Sequence, residues 1–251
     1  MSDNNNNNDS DSMFGDLFLN KSYIKKTIKY FDVEIVVNVL NSASTDFDLT
    51  GQVIWPAAQV LTQYMIQKKN EHIYAGATNE QLETLELGAG AGVCGLFLSR
   101  LGKNCVLSDN NEVVLDLLRM NVEESCQRGY PCKELKIDWG DNQDIQQCLN
   151  RYPNGFDIIF GSDICYWKTS IIPLFQTVSA LLSHKSTSTF LLCYQSRSTQ
   201  TDQYLLEQAS LHNFTYEFID INSFVNTEYL TFKDQDTTLS IIYLIKFYRK
   251  Q

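Results

Sequence analysis

Thr84-Leu85-Glu86-Leu87-Gly88-Ala89-Gly90-Ala91-Gly92 carries a short apolar strand into a turn of small residues, and Gly92–Leu101 continues at helical spacing. A strand, a glycine turn and a helix in that order mark the place where an α/β sheet receives nucleotide-like ligands, at the carboxyl ends of its strands. The same alternation repeats downstream. Strands are expected at Cys105–Leu107, Leu135–Ile137, Phe156–Phe160 and Thr189–Tyr194, and helices at Glu112–Glu124, Asp144–Asn150, Ile171–Leu182 and Gln200–His212. This pattern is that of a doubly wound, mostly parallel, Rossmann-like α/β sheet. Two more strands, Thr215–Ile221 and Leu239–Phe247, are separated by no convincing crossover helix, so they are expected to pair antiparallel at one end of a seven-stranded sheet. The alternating Phe214, Tyr216 and Phe218 are expected in the core.

Ahead of the glycine turn, Trp55-Pro56-Ala57-Ala58 opens a helix through Lys68, with Ala57, Val60, Leu61, Tyr64 and Met65 at helical spacing and proline in a first turn. Tyr23–Leu40 is dense in β-branched and aromatic residues, which predicts an amino-terminal β-hairpin within an extension over 23–50; 41–50 and 70–81 read as loops. Residues 1–12, MSDNNNNNDSDS, cannot bury enough apolar surface to offset the entropy of ordering, so 1–22 is expected to be a disordered polar tail. The remaining 23–251 is read as a single domain.

With 43% apolar residues in 251, one well-covered core is available, and only 4 Pro and 12 Gly exclude a collagenous or broadly disordered chain. No apolar run is long enough for a membrane span, and the amino end lacks the basic-then-apolar order of a secretory signal, so the cytosol, or also the nucleus, is the expected compartment. A net charge of −10 repels polyphosphate, and no basic run exceeds Lys25-Lys26, so no nucleic-acid or membrane partner is expected. The seven cysteines have irregular spacing without C-x-x-C or a histidine pair, and read as reduced core thiols with no metal site. His72, His184 and His212 are isolated, and Cys94 reads as packing volume.

The glycines alone leave the ligand open, since Gly90, Gly92 and Gly95 also satisfy the G-x-G-x-x-G of a dinucleotide site. Glu86, two residues before Gly88, would oppose a pyrophosphate but suits a cationic ligand such as a sulfonium, or orders the loop. Asp109, after the second strand, is placed to accept both hydroxyls of an adenosine ribose, which holds for NAD as well. Asp138-Trp139-Gly140 ends the third strand, and Trp139 offers a wall to an adenine. Three carboxylates at successive strand ends beside a glycine turn argue for a ligand rather than for solvated loops.

These marks resemble the seven-strand S-adenosylmethionine-dependent methyltransferases, and among them the family-16 protein-lysine methyltransferases, from about Gly51 to the carboxyl terminus. The resemblance rests on Trp55-Pro56-Ala57-Ala58, Leu85-Glu86-Leu87-Gly88-Ala89-Gly90, Asp109, Trp139 and the D-x-x-Y signature Asp163-Ile164-Cys165-Tyr166 after Phe156–Phe160. It implies S-adenosylmethionine held by Trp55, Glu86, Gly88, Ala89, Gly90, Asp109, Trp139 and Ser162, with Asp163 and Tyr166 facing the acceptor. It also implies a lysine of a protein, such as a chaperone, translation factor or ATPase, as substrate. Cys165 and Ser162 depart from the family's usual apolar residue and alanine, and residues 1–50 match weakly.

Methyl transfer from a sulfonium is an in-line displacement by an uncharged amine and requires no metal. An ordinary carboxylate is too weak a base to deprotonate lysine outright, so Asp163 is expected mainly to orient the amine and Tyr166 to wall it. The alternatives are a small-molecule methyltransferase or a non-catalytic cofactor-binding scaffold. A monomer is expected.

Overall fold

The computed structural model describes residues 23–41, 47–68 and 82–250. The tail expected at 1–22 and the loop expected at 70–81 lie outside the described residues. The amino-terminal hairpin is present: β1 (Ile24–Tyr30) and β2 (Val33–Val39) pair antiparallel, with Ile24 opposite Val39 and Tyr30 opposite Val33. Within the stretch expected as a loop, Phe47–Gln52 forms a 3₁₀ helix. It leads into α1 (Pro56–Gln67), where proline occupies the first turn and needs no hydrogen-bond partner.

The main body follows the expected alternation: β3 (Glu83–Leu87), α2 (Val93–Arg100), β4 (Asn104–Asp109), α3 (Glu112–Gln127), β5 (Lys133–Lys136), α4 (Asn142–Arg151), β6 (Ile158–Ser162), α5 (Lys168–Leu181), β7 (Thr189–Gln195) and α6 (Thr199–Leu211). After these come β8 (Phe214–Ile219), the short α7 (Gln235–Leu239) and β9 (Ile242–Arg249). The seven strands lie in the order β5-β4-β3-β6-β7-β9-β8, with β3 to β7 parallel and β9 antiparallel to both β7 and β8. Strand β9 therefore slots between β7 and β8 and leaves β8 as the edge. That placement corrects one expectation. Phe214 is buried, but Tyr216 and Phe218 are 40% and 53% exposed, because an edge strand has a neighbour on one side only.

Two apolar layers cover the sheet. On one face, β2, α1, α2 and α3 bury Val37, Leu61, Phe97 and Leu118; on the other, Phe175 of α5 and Leu205 of α6 join Ile159 and Phe190 of the sheet. Three helices start on side-chain caps, with Asn111, Asp141 and Ser198 accepting amides of the first turns of α3, α4 and α6. Helix α2 differs: its N-cap is Gly92, which has no side chain, and the Gly95 amide is satisfied from another element, by Glu86 of β3.

The hairpin is tied to the glycine turn through one buried amide. Asn121 on α3 donates to the Ala91 carbonyl (2.9 Å) and the Asn38 carbonyl (3.0 Å), and its oxygen accepts from the Asn38 amide (2.7 Å). Asn121→Leu leaves these backbone groups without partners, at about 1–3 kcal/mol for each one that water cannot reach. A loss of about 2–4 kcal/mol in stability is expected by urea denaturation; a loss under about 0.5 kcal/mol would show the tie to be incidental.

Candidate active site

The chain runs from β3 outward through β4 to β5, then returns to β6 and outward through β7, so the strand order reverses between β3 and β6. At such a reversal the loops leaving adjacent strands diverge and open a crevice at the carboxyl ends. Here it is a cavity of about 950 Å³, reaching from the glycine turn past Trp139 to Asp163 and Tyr166. All ten site residues expected from the sequence line it.

The turn after β3 takes its shape from close approaches. Gly88 has φ +60°, and a Cβ there would stand 2.7 Å from Ile164 Cγ2 and 3.3 Å from Trp139 Cζ2. Gly90 has φ +57°, and its Cβ would stand 2.5 Å from the Gly51 carbonyl oxygen. L-residues with a side chain are disfavoured in both respects. The Ala89 amide donates to the Ser108 carbonyl (2.8 Å), which ties the turn to the end of β4.

Asp109, at the tip of β4, accepts the Gly90 amide at Oδ2 (3.0 Å) and the Asn110 and Asn111 amides at Oδ1 (2.9 and 3.2 Å). A carboxylate has about four lone-pair positions, so roughly one remains for a ligand hydroxyl. Burial pushes the Asp109 carboxyl up, and the three amides partly offset this. The loop after β5 lies alongside: Asn110 Nδ2 donates to Asp138 Oδ1 (3.3 Å), and half-buried Trp139 leans on Gly88.

Glu86 is 1% exposed, with Oε2 accepting from Gly95 (2.8 Å). Burial pushes its carboxyl up to about 8, against the opposing pull of the Gly95 amide. A group with that value is mostly protonated at pH 7, so its place in the site is that of a loop-ordering hydrogen-bond partner more than of a charge. A folded-state value near 8 exceeds the ordinary 4.5, so the folded protein holds a proton that the unfolded chain releases. Stability therefore falls as pH rises from about 4.5 to 8. Glu86→Gln keeps an acceptor for Gly95 and removes the titration. It is expected to flatten that fall by on the order of a few kcal/mol, read by denaturation at pH 5 and pH 8.5; parallel slopes in the two proteins would contradict the assignment.

Beyond Glu86, Cys94 is fully buried, accepts from Thr62 Oγ1 (3.4 Å), and has its thiol held well above the ordinary range by burial. It is packing, as its sequence position suggests. Ser162 Oγ lies 3.9 Å from the Cys94 sulfur at the tip of β6.

The acceptor end begins one residue later. Asp163 adopts φ +56°, which turns its side chain back between β6 and β7. Its Oδ1 accepts the Gln195 amide (2.9 Å), and its own amide donates to the Cys193 carbonyl (2.8 Å). Its Oδ2 is buried and has no hydrogen-bond partner among the described residues. Burial raises its carboxyl above the ordinary value, while the Gln195 amide, the Arg197 charge and the Ala57 amide at the start of α1 pull it back. Tyr166 is 42% exposed at the mouth, its ring 5.8 Å from that of Trp167. Trp55, on the opposite rim, donates Nε1–H to the Thr50 carbonyl (2.9 Å).

The sequence did not point to Gly51, Asn110, Trp167 or Arg197, which also line the cavity. For Arg197 a signal existed, since it follows β7 as Asp163 follows β6. Gly51 could be found only from the three-dimensional approach of its carbonyl to Gly90.

Known proteins are similar to this chain in sequence and in fold. The Danio rerio protein N-lysine methyltransferase METTL21A is 30% identical over 158 residues, covering 62% of this chain and 65% of the relative. The calmodulin-lysine N-methyltransferase of Arabidopsis thaliana is 27% identical over 197 residues, covering 76% and 61%. The chain thus spans less than two thirds of these relatives' own length. Among solved structures, the 16S rRNA N2 G1207 methyltransferase RsmC of T. thermophilus, in complex with AdoMet and guanosine, superposes with a TM-score of 0.56 at 15% identity, covering 91% of this chain and 51% of that one. The precorrin-6y C5,15-methyltransferase of Geobacter metallireducens gives 0.52 at 14% identity, covering 86% and 94%. These two likenesses speak for the fold. Residues 38–210 match the family model described as lysine methyltransferase, more than half of the chain, and the protein belongs to that family.

Proposed function

We propose that this protein transfers a methyl group from S-adenosylmethionine to the side-chain amine of a lysine in a protein substrate. The observation that carries this is the continuity of one cavity, from a glycine turn that only small residues can form to a buried carboxylate oxygen without a partner. The residues present fit the cofactor. Gly88 and Gly90 let a ligand meet the backbone, Asp109 retains an acceptor position for a ribose hydroxyl, and Trp139 supplies a flat apolar surface for a purine. Bound there, S-adenosylmethionine supplies an electrophilic methyl group on a sulfonium.

The chain's own residues then have separate tasks. Asp163, fixed through Oδ1 by Gln195, has a buried and unpartnered Oδ2, which a small shift of the cavity wall would bring within reach of the acceptor amine to orient its lone pair. The lysine ammonium loses its proton to water before it can act, since a carboxylate is far too weak a base to remove it fully. Tyr166 and Trp167 stand half-exposed at the mouth, where aromatic faces can flank an aliphatic stem and its cationic head. Proximity and orientation supply most of the acceleration, worth roughly 7–11 kcal/mol where the alignment is good.

The substrate is a protein, as the exposed mouth and the relatives' protein substrates support. A monomer in a reducing compartment suits the seven free cysteines, six of them buried. Calorimetric titration with S-adenosylhomocysteine and with NAD tests the ligand: tight binding of the first only is expected. Incubation with radiolabelled S-adenosylmethionine and a cell lysate, followed by mass spectrometry of the labelled band, tests the reaction. A methylated lysine is expected. Labelled arginine, labelled small molecules only, or cofactor binding without any labelling would each overturn the proposal.

A further inference from the structure

The two edges of the seven-stranded sheet are unlike. Edge strand β5 is four residues long and reads Lys133-Glu134-Leu135-Lys136, short and charged, as edges are when they are kept from pairing. Edge strand β8 is six residues long and reads Phe214-Thr215-Tyr216-Glu217-Phe218-Ile219, with no proline and a single charge. That charge is turned inward: the Glu217 carboxylate accepts from Tyr248 and lies 3.9 Å from Lys246, both on β9. The ladder shows which backbone groups of β8 are spare. The Lys250 amide donates to the Asn213 carbonyl (2.8 Å), and bonded pairs alternate along antiparallel strands, so Thr215, Glu217 and Ile219 bond to β9. The bond from the Ser196 amide to the Ile241 carbonyl gives the same parity from the β7 side. The N–H and C=O groups of Tyr216 and Phe218 therefore point away from β9 in the plane of the sheet, and among the described residues none pairs with them.

Beside these spare groups runs an aromatic strip. The Tyr216 and Phe218 rings lie 5.8 Å apart, Phe218 lies 5.9 Å from Tyr243 of β9, and Tyr243 lies 5.9 Å from Tyr194 of β7. Tyr243 and Ile241 are exposed, and Ile241 holds the Ser196 amide next to Arg197 at the cavity. The strip thus leads from the open edge to the carboxyl end of β7, where Gln195 holds Asp163. We propose that β8 is the docking strand for the protein substrate: an extended segment of that protein, apolar at alternate positions, pairs with the backbone of Tyr216 and Phe218 and lays its side chains on the strip. This rests on the methyl transfer to a protein lysine proposed above and adds where that protein is held. Continuity with the acceptor end favours the substrate over a second copy of this chain, since self-pairing of two β8 edges needs no strip running to the cavity. A docked segment lies one strand spacing outside β8 and four from β6, about 19 Å at about 4.8 Å per strand. An extended chain covers at most about 3.3–3.6 Å per residue, so the target lysine is expected about six or more residues from the docked segment.

The test uses the whole protein, radiolabelled S-adenosylmethionine and a cell lysate at limiting concentration. Tyr216→Pro removes an N–H that β9 does not use, which an edge strand tolerates; Phe218→Lys keeps the backbone and puts a charge on the strip. In both, initial labelling of the target band is expected to fall about tenfold or more and to recover as the lysate is concentrated, with S-adenosylhomocysteine affinity within about threefold of wild type. If Tyr216→Pro fails to fold, Phe218→Lys alone decides: labelling within about twofold of wild type would overturn the proposal. Once the labelled lysine is identified, a peptide with about five residues on each side of it cannot reach β8, and wild-type protein should label it at least about tenfold more slowly than the intact substrate. Equal rates would overturn the proposal. So would a wild-type dimer that Phe218→Lys dissociates in sedimentation, which would assign the edge to a second copy. Slow hydrogen exchange at the Tyr216 and Phe218 amides in monomeric wild-type protein would overturn it too, by showing the edge covered by its own chain. If wild-type protein labels nothing, the methyltransferase function fails and the docking strand with it; if wild type labels and the variants label equally, the docking strand alone fails.

Discussion

Gly90→Ala protein is expected to lose S-adenosylhomocysteine affinity by a factor of ten or more while still folding. The φ of +57° at this position costs an L-residue about 1–2 kcal/mol, and the new methyl group would stand 2.5 Å from the Gly51 carbonyl oxygen, a backbone atom that cannot swing aside. Relief requires the turn or the segment before α1 to move. Either shift pulls the Gly90 amide from Asp109 Oδ2 and alters the acceptor position left for the ribose. Each 1.4 kcal/mol of bound-state distortion is tenfold in affinity. Gly102→Ala is the control: its φ is +76°, but nothing lies within 4 Å of the added carbon, and Gly102 is not among the residues lining the cavity. It should cost similar stability by thermal denaturation and leave calorimetric affinity unchanged. Equal affinities in the two variants would remove the glycine turn from the ligand site.

The second large effect is on turnover. Asp163→Asn keeps an oxygen for the Gln195 amide, and asparagine tolerates the left-handed backbone at φ +56°, so the fold and the cofactor end should survive. The negative charge at Oδ2 is lost, and the amide NH₂ that replaces one oxygen offers a donor where the acceptor amine needs an acceptor. Groups that position and polarise a reacting proton contribute about 10²–10⁴-fold. Labelling of the lysate target is therefore expected to fall by about 10² or more, with S-adenosylhomocysteine affinity within about threefold. Turnover within about threefold of wild type would place the acceptor elsewhere. Tyr166→Phe separates the two sequence-motif residues, since it removes a hydroxyl and keeps the aromatic wall.

Much of this site could be read from the chain because strand ends and site residues coincide. Glu86, Asp109, Trp139 and Asp163 each follow a strand or lie at its end, and parallel strands bring their carboxyl ends to one edge of the sheet. What each residue does there was less legible. Asp109 reads as a free acceptor, yet three amides already occupy it. Glu86 reads as a charge, yet burial and its bond to Gly95 make it a local cap for a helix that lacks one. Tyr216 and Phe218 alternate like core residues, but β9 inserts on their other side and leaves them exposed at an edge.

The order of apolar runs and the small residues between them set the alternation of strands and helices, because periodicity and backbone permissiveness act over a few neighbouring residues. The partner of each polar group came only from the folded chain. Gly51 against Gly90, Asn121 under Ala91 and Gln195 on Asp163 are separated by 39, 30 and 32 positions along the sequence. Hydrogen bonding and charge act through distance in space, which a linear pattern does not contain.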